Sequence, residues 1–285
     1  MEVIVGKTAG FCYGVKRAVD GAKKEIQEKK SKICCLGEIV HNKQVIDELK
    51  NEGIKFIENL KDADGETIIR AHGVSKKIEE EADKANIKLI DYTCPNVIKI
   101  HEIVNQYQNQ GYYVFLLGSK DHPENVGTIS YCGENFYVIE KENDTYKAIE
   151  ALEKSDIKKV LVISQTTYSL KKFYIIEKII RDELPKNIDL VIKNTICKAT
   201  ELRQKETEDM AKKVDCMIII GGKNSSNTKK LYEIAKERCK NSICIETKNE
   251  LNYEMIKNYN KIGIMAGAST PEKSIQEIVE FCGEK

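Results

Sequence analysis

The stretch Gly10-Phe11-Cys12-Tyr13-Gly14-Val15-Lys16 decides how this chain is read, because its layout returns twice. The echoes are Tyr92-Thr93-Cys94-Pro95-Asn96-Val97 and Asn194-Thr195-Ile196-Cys197-Lys198-Ala199-Thr200. In each, an apolar strand-like run ends in small or polar residues, and a cysteine opens a helical pattern. Working outward, the same order recurs. Helical stretches run from Cys12 to about Glu28, from Cys94 to about Asn109 and from Cys197 to about Lys213. A buried strand then ends in glycine, at Gly37, Gly118 and Gly221, at offsets of 25, 24 and 24 residues from the cysteines. Each glycine is followed within about five positions by His41, His122 or Ser225 and by another helix. A further strand-to-helix junction closes each copy. Residues 67–75 lead into a helix at 76–84, residues 160–167 into one at 169–184, and residues 262–270 into one opened by Pro271, a residue suited to a first turn.

Apolar runs alternating with charged amphipathic stretches predict an α/β protein with mostly parallel strands. The internal repeat sharpens this to three similar parallel-sheet α/β domains, residues 1–93, 94–193 and 194–285. The strand ahead of each cysteine is free to pair with the preceding repeat, in which case residues 1–6 close against the last one. Ligands of open α/β sheets bind at the carboxyl ends of strands, where helix N-termini point unpaired N–H groups. Three repeats facing one another about a pseudo-threefold axis would bring nine such junctions to one cavity.

At 285 residues with 41% apolar content, the chain can bury a substantial core. No run approaches the apolar length of a membrane helix. Residues 1–7 read as a strand starting at once rather than a signal peptide, so a cytoplasmic protein is expected. The 46 basic and 45 acidic residues nearly cancel, which gives no electrostatic footprint for nucleic acid. Ten cysteines are many for a reducing compartment, and some should serve metal binding or catalysis. Cys34, Cys35, Cys132, Cys216 and Cys244 lie in or beside apolar runs and read as core. Cys239 and Cys282 receive no role. There is no CxxC pair, no Walker A sequence and no GxGxxG.

Cys12, Cys94 and Cys197 are the candidates for ligands of one iron–sulfur cluster. Their wide spacing is unlike a ferredoxin's. Three thiolates leave one iron without a protein ligand and open to a substrate oxygen. The plainer alternative is three helix-start cysteines with no metal. Of four histidines, His41, His72 and His122 fall at strand-to-helix junctions, whereas His101 falls inside a helix and reads as a packing residue. Imidazoles, hydroxyls and helix N-termini together suit an anion such as diphosphate. Ser225-Ser226-Asn227 and Ser269 join this set by their place in the repeat, although such triplets are often simple helix caps. Glu124, beside His122, is the acid placed to protonate a leaving hydroxyl; a lone glutamate opening a helix is the ordinary alternative.

The motifs GFCYGVKRAV, EIVHNKQVIDEL, RAHGVS, DYTCPNVIKIH, DHPENVGT, SQTTYS, NTICKAT, GGKNSSNT and AGASTPE, in this order, resemble the 4-hydroxy-3-methylbut-2-enyl diphosphate reductase family over essentially the whole chain. The resemblance implies three α/β domains around a central 4Fe–4S cluster held by Cys12, Cys94 and Cys197, with one open iron. It implies that His41, His72, His122, Ser225, Ser226, Asn227 and Ser269 hold an allylic diphosphate. Glu124, helped by Thr166 and His122, would protonate the hydroxyl. Two electrons, from an external donor such as ferredoxin or flavodoxin, and two protons would remove it as water, giving isopentenyl and dimethylallyl diphosphates. Asn194 stands where the family usually has Asp, and Asp121 where Gly is common. Two other readings stay open: a quinolinate-synthase-like cluster dehydratase, which needs no reductant, and a non-catalytic iron–sulfur sensor. The extra RNA-binding domains of some relatives are not expected.

Overall fold

Every strand pair among the described residues is parallel. The computed structural model describes residues 1–28 and 31–283. In chain order, β1 (Glu2–Val5) precedes α1 (Tyr13–Glu28). Next come β2 (Ile33–Leu36), α2 (Lys43–Asn51), β3 (Lys55–Ile57), β4 (Glu66–Ile69), α3 (Lys76–Lys84) and β5 (Leu89–Asp91). The second repeat holds α4 (Pro95–Gln108), β6 (Tyr113–Leu117), α5 (Pro123–Ile129), β7 (Phe136–Ile139), α6 (Asp144–Lys154), β8 (Lys159–Ser164), α7 (Leu170–Glu183) and β9 (Asp189–Ile192). The third holds α8 (Lys198–Ala211), β10 (Cys216–Ile220), α9 (Ser226–Arg238), β11 (Ser242–Ile245), β12 (Lys261–Ala266) and α10 (Glu272–Gly283).

The strands form three four-stranded sheets of one topology, β3-β2-β4-β5, β7-β6-β8-β9 and β11-β10-β12-β1. In each, the strand ahead of a cysteine is an edge. β5 and β9 reach their places through α3 and α7. β1 arrives from the opposite end of the sequence and pairs with β12, Glu2 opposite Lys261 and Val5 opposite Ile264. The opposite edges, β3, β7 and β11, and helix α6 are absent from the sequence reading. Runs of three or four residues carry too few periods to separate a strand from a loop.

Central strands are buried on both faces, as parallel sheets under helices must be. In β6 and β8, Tyr113, Phe115, Leu117, Val160 and Val162 join one core cluster with Ala148 and Leu152 of α6 and Phe173 and Ile176 of α7. Their alternates Val114, Leu116, Leu161 and Ile163 join another with Ile100 and Val104 of α4. β10 and β12 divide in the same way. Ile218, Ile220 and Ile264 pack with Ile275 and Ile278 of α10, while Ile219 and Met265 pack with Met210 of α8 and Leu231 of α9. Each such aliphatic side chain contributes about 1.5–3 kcal/mol on burial.

The chain divides into two compact units. One comprises residues 1–19, 40–51 and 198–285 and contains the sheet closed by β1; the other comprises 20–39 and 52–197 and contains the other two sheets. Helix α2 and the turn bearing His41 group with the first unit, although β2 lies in the second.

Candidate active site

The three candidate cysteines occupy equivalent backbone positions. Cys12 N–H donates to Ala268 O at 3.1 Å, Cys94 N–H to Ala71 O at 2.9 Å and Cys197 N–H to Thr166 O at 2.9 Å. Each acceptor lies two residues past the end of β12, β4 or β8. The glycines repeat likewise: Gly37, Gly118 and Gly221 donate to Ile57, Ile139 and Ile245 at 2.8, 3.1 and 2.9 Å, the last residues of β3, β7 and β11.

The turns into the cysteines are built from side chains. Asp91 Oδ1 accepts from Thr93 N–H at 2.7 Å, and Asn194 Oδ1 accepts from Ile196 N–H at 3.0 Å. The amide at Asn194 therefore performs the same capping task as a carboxylate. Asp121 is exposed. Ahead of Cys12 the turn is held from α8. The Glu206 carboxylate accepts from Lys7 N–H at 2.7 Å, Thr8 N–H at 2.9 Å and the Thr8 hydroxyl at 2.5 Å. Burial raises its pKa, but these donors outweigh that and hold it below the usual range. Arg203 donates to Thr8 O at 2.8 Å and Gly10 O at 2.9 Å.

Cys12, Cys94 and Cys197 are half-buried and form no disulfide. Cys34, Cys35, Cys132 and Cys216 are fully buried, as is Cys282. Burial pushes the thiols of Cys35, Cys132 and Cys216 up to about 12 and that of Cys282 to about 11. They stay protonated and unsuited to metal. Cys244 is only half-buried, a departure from its reading as core, because it sits on edge strand β11.

In the unit containing residues 52–197, His122 caps α5: its Nδ1 accepts from Glu124 N–H at 3.2 Å. That bond places the imidazole proton on Nε2. The His72 and His122 rings meet edge to face at 5.4 Å. Glu124 is 1% exposed. Its carboxylate accepts from Thr166 N–H at 2.6 Å and from the Thr166 hydroxyl at 2.6 Å. Burial raises its pKa to about 7 against the lowering effect of both Thr166 bonds. A carboxyl balanced near neutrality is suited to giving up a proton. Thr167 stands in the register of His72 and Ser269, one residue past the carbonyl that receives a cysteine N–H.

In the other unit, Ser225 caps α9, its hydroxyl accepting from Thr228 N–H at 3.3 Å, and Ser226 and Asn227 form the first turn. Asn227 is 4% exposed, and neither its amide nitrogen nor its oxygen has a hydrogen-bond partner among the described residues. An orphaned buried polar group costs about 1–3 kcal/mol, which points to a ligand or water as its complement. Ser269 donates to His41 O at 3.2 Å, and Ser274 donates to Gln44 Oε1 at 2.7 Å, seating the His41 turn beside β12 and α10. A Cβ at Gly222 would lie 2.5 Å from the same His41 carbonyl, so only glycine permits that approach.

His101 is 7% exposed and stacked on Tyr131 at 4.5 Å, and burial lowers its pKa to about 4. It is a packing histidine. The sequence reading missed Asn125, whose amide donates to Ser119 O at 2.7 Å and Gln165 Oε1 at 3.2 Å under the His122 loop. It also missed Arg203 and Glu206. A charged pair in the middle of a helix looks like solvated surface until its partners, nearly 200 residues away, are known.

A model of the LytB protein family matches residues 3–282. The 4-hydroxy-3-methylbut-2-enyl diphosphate reductase of Thermoanaerobacter sp. (strain X514) is 40% identical, covering 98% of this chain and 96% of its own length. That of Aquifex aeolicus (strain VF5) is 40% identical over 98% and 94%. The solved structure of the corresponding reductase from Plasmodium falciparum superposes with a TM-score of 0.90 at 33% identity, covering 98% of this chain and 87% of its own. Another, of the terminal enzyme of the non-mevalonate pathway, has a TM-score of 0.72 at 39% identity over the full length of both chains.

Proposed function

This chain belongs to the LytB protein family of 4-hydroxy-3-methylbut-2-enyl diphosphate reductases, and we infer from its own residues how it performs that reaction. The enzyme removes the allylic hydroxyl of the substrate as water. Two electrons and two protons are consumed; one proton leaves in the water and the other goes to carbon, giving isopentenyl or dimethylallyl diphosphate.

Cys12, Cys94 and Cys197, one from each of the repeats 1–93, 94–193 and 194–285, fit a single cluster held by three thiolates. Their three matching junctions and their half-buried sulfurs support this, and no other cysteine sits at such a junction. When bound, a 4Fe–4S cluster supplies electrons singly and an iron with no protein ligand. The electrons come from an external one-electron carrier such as ferredoxin or flavodoxin. Ten cysteines without a disulfide among them suit the cytoplasm, where thiols stay reduced. No helix among the described residues is long and apolar enough to cross a membrane.

His41, His72, His122, Ser225, Ser226, Asn227 and Ser269 hold the diphosphate through N–H and O–H donors and the α9 N-terminus. The orphaned Asn227 amide supports this reading. Glu124 donates the proton that turns the leaving hydroxyl into water. Thr166 fixes the direction of the carboxyl, and His122 holds its α5 turn.

The observation that carries the assignment of the acid is the Glu124 carboxyl, 1% exposed and bonded through both oxygens to Thr166, whose burial raises its pKa. The test is anaerobic purification with iron and sulfide analysis, then an assay with the hydroxylated allylic diphosphate with and without reductant. Colourless, iron-free protein ends the cluster reading; turnover without reductant ends the reductase reading. Cys197→Ser should lose iron where Cys216→Ser keeps it.

A further inference from the structure

Asn96 makes a bond that the reaction as described leaves unexplained. Its amide nitrogen donates to Cys197 Sγ at 3.2 Å. Asn96 lies in the first turn of α4, two residues past Cys94. A side chain on the helix opened by one candidate ligand thus reaches the sulfur of another, 101 positions away. Local chain geometry does not produce such a contact. Cys197 and Cys94, the N-cap of the helix that carries Asn96, are held by the matching backbone bonds to Thr166 and Ala71. The residues two past the other cysteines are Gly14 and Ala199, which carry no side-chain donor. Asn96 is therefore where the repeat departs from its own pattern, and the departure faces a sulfur.

We propose that Asn96 is a positioning residue that seats the Cys197 sulfur and raises the reduction potential of the cluster it ligates. This rests on the reading of Cys197 as a cluster ligand. Reduction adds negative charge that is shared by the thiolate sulfurs. A donor aimed at one of them stabilises the reduced state more than the oxidised state. Without it, the equilibrium for reduction moves toward the oxidised form, while the three thiolates still bind iron.

The test uses the loaded enzyme and two variants: Asn96→Leu, of similar size without a donor, and Asn96→Asp, of the same shape with an acceptor only. Asn96 is exposed, so neither change disturbs a core. Iron and sulfide per chain should equal those of the unaltered protein. The midpoint potential, followed by visible absorption and electron paramagnetic resonance during anaerobic titration, should fall in both. A tenfold loss in the equilibrium for reduction in Asn96→Leu reads as about 59 mV for one electron. The fall should be larger in Asn96→Asp. Pulsed resonance of the reduced protein should show an exchangeable proton coupled to the cluster that both variants lack. If one variant loads poorly, the other carries the comparison. Unchanged midpoints with a full cluster overturn the role of Asn96 alone. An unaltered protein without iron and sulfide overturns the cluster reading beneath it.

Discussion

Glu124 and Asn227 occupy one position in two successive repeats and use it in opposite ways. Each lies two residues past the N-cap of a helix that follows a strand ending in glycine, and each is buried, at 1% and 4% exposure. The Glu124 carboxylate is bonded through both oxygens to Thr166, whereas the Asn227 amide is bonded to nothing described. The register explains the difference. Thr166 is the residue whose carbonyl receives the Cys197 N–H, and its counterpart in the third repeat is Ala268, which has no hydroxyl to offer. Repetition copies the backbone. Threonine in place of alanine adds a side-chain hydroxyl beside the backbone N–H, and the second Glu124 bond depends on it.

The most severe way to break this contrast is Glu124→Gln, which keeps shape and removes the proton. Turnover should drop by about 10²–10⁴-fold while substrate still binds; near-normal rates would remove Glu124 as the acid. In the unaltered enzyme, kcat/KM should fall as pH rises above about 7, where Glu124 ionises, and a flat profile through pH 8 would deny it that role. Asn227→Ala should weaken substrate binding by about 10–100-fold, measured as KM or by calorimetry, with the pH profile unmoved. Unchanged affinity would leave its orphaned amide without a ligand.

Thr166→Ala makes the second repeat resemble the third. The Thr166 hydroxyl lowers the Glu124 pKa, so its loss should move the alkaline limb to higher pH and slow turnover by about tenfold. A limb that moves down instead would contradict the bonding. The smallest effect is on stability. The folded pKa of Glu124 lies above its ordinary 4.5, so the folded state holds the proton more tightly. The resulting stabilisation is complete below pH 4.5 and is lost as pH rises to about 7, by at most about 3 kcal/mol. In Glu124→Gln that slope should vanish from denaturant unfolding measured between pH 5 and pH 8.

Most of the architecture was legible in the residues. The boundaries of α2 and α3 follow from amphipathic period and the polar residues ahead of each helix, and the parallel class follows from apolar strands alternating with helices. The three cysteines stood out because their offsets to glycine match. The edge strands β3, β7 and β11 did not stand out, since each is defined by its neighbour rather than by its own three or four residues. Within the candidate site, His41, His122 and Ser225 were visible as occupants of one register. Asn96, Arg203 and Glu206 were not. Their roles depend on a sulfur, two carbonyls and a loop that lie 101 to 199 residues distant.

The repeat, the junctions at strand ends, the three candidate cysteines and the family resemblance can be read from the residues, because these are local patterns along the chain. Only the packed fold shows that, of two like-placed buried residues, Glu124 is bonded through both oxygens while the Asn227 amide has no partner among the described residues. It also shows the register in which β1 pairs with β12, and that the Asn96 amide reaches the Cys197 sulfur. Desolvation and hydrogen bonding act through space, and their strength is set by packed neighbours that the local pattern does not name.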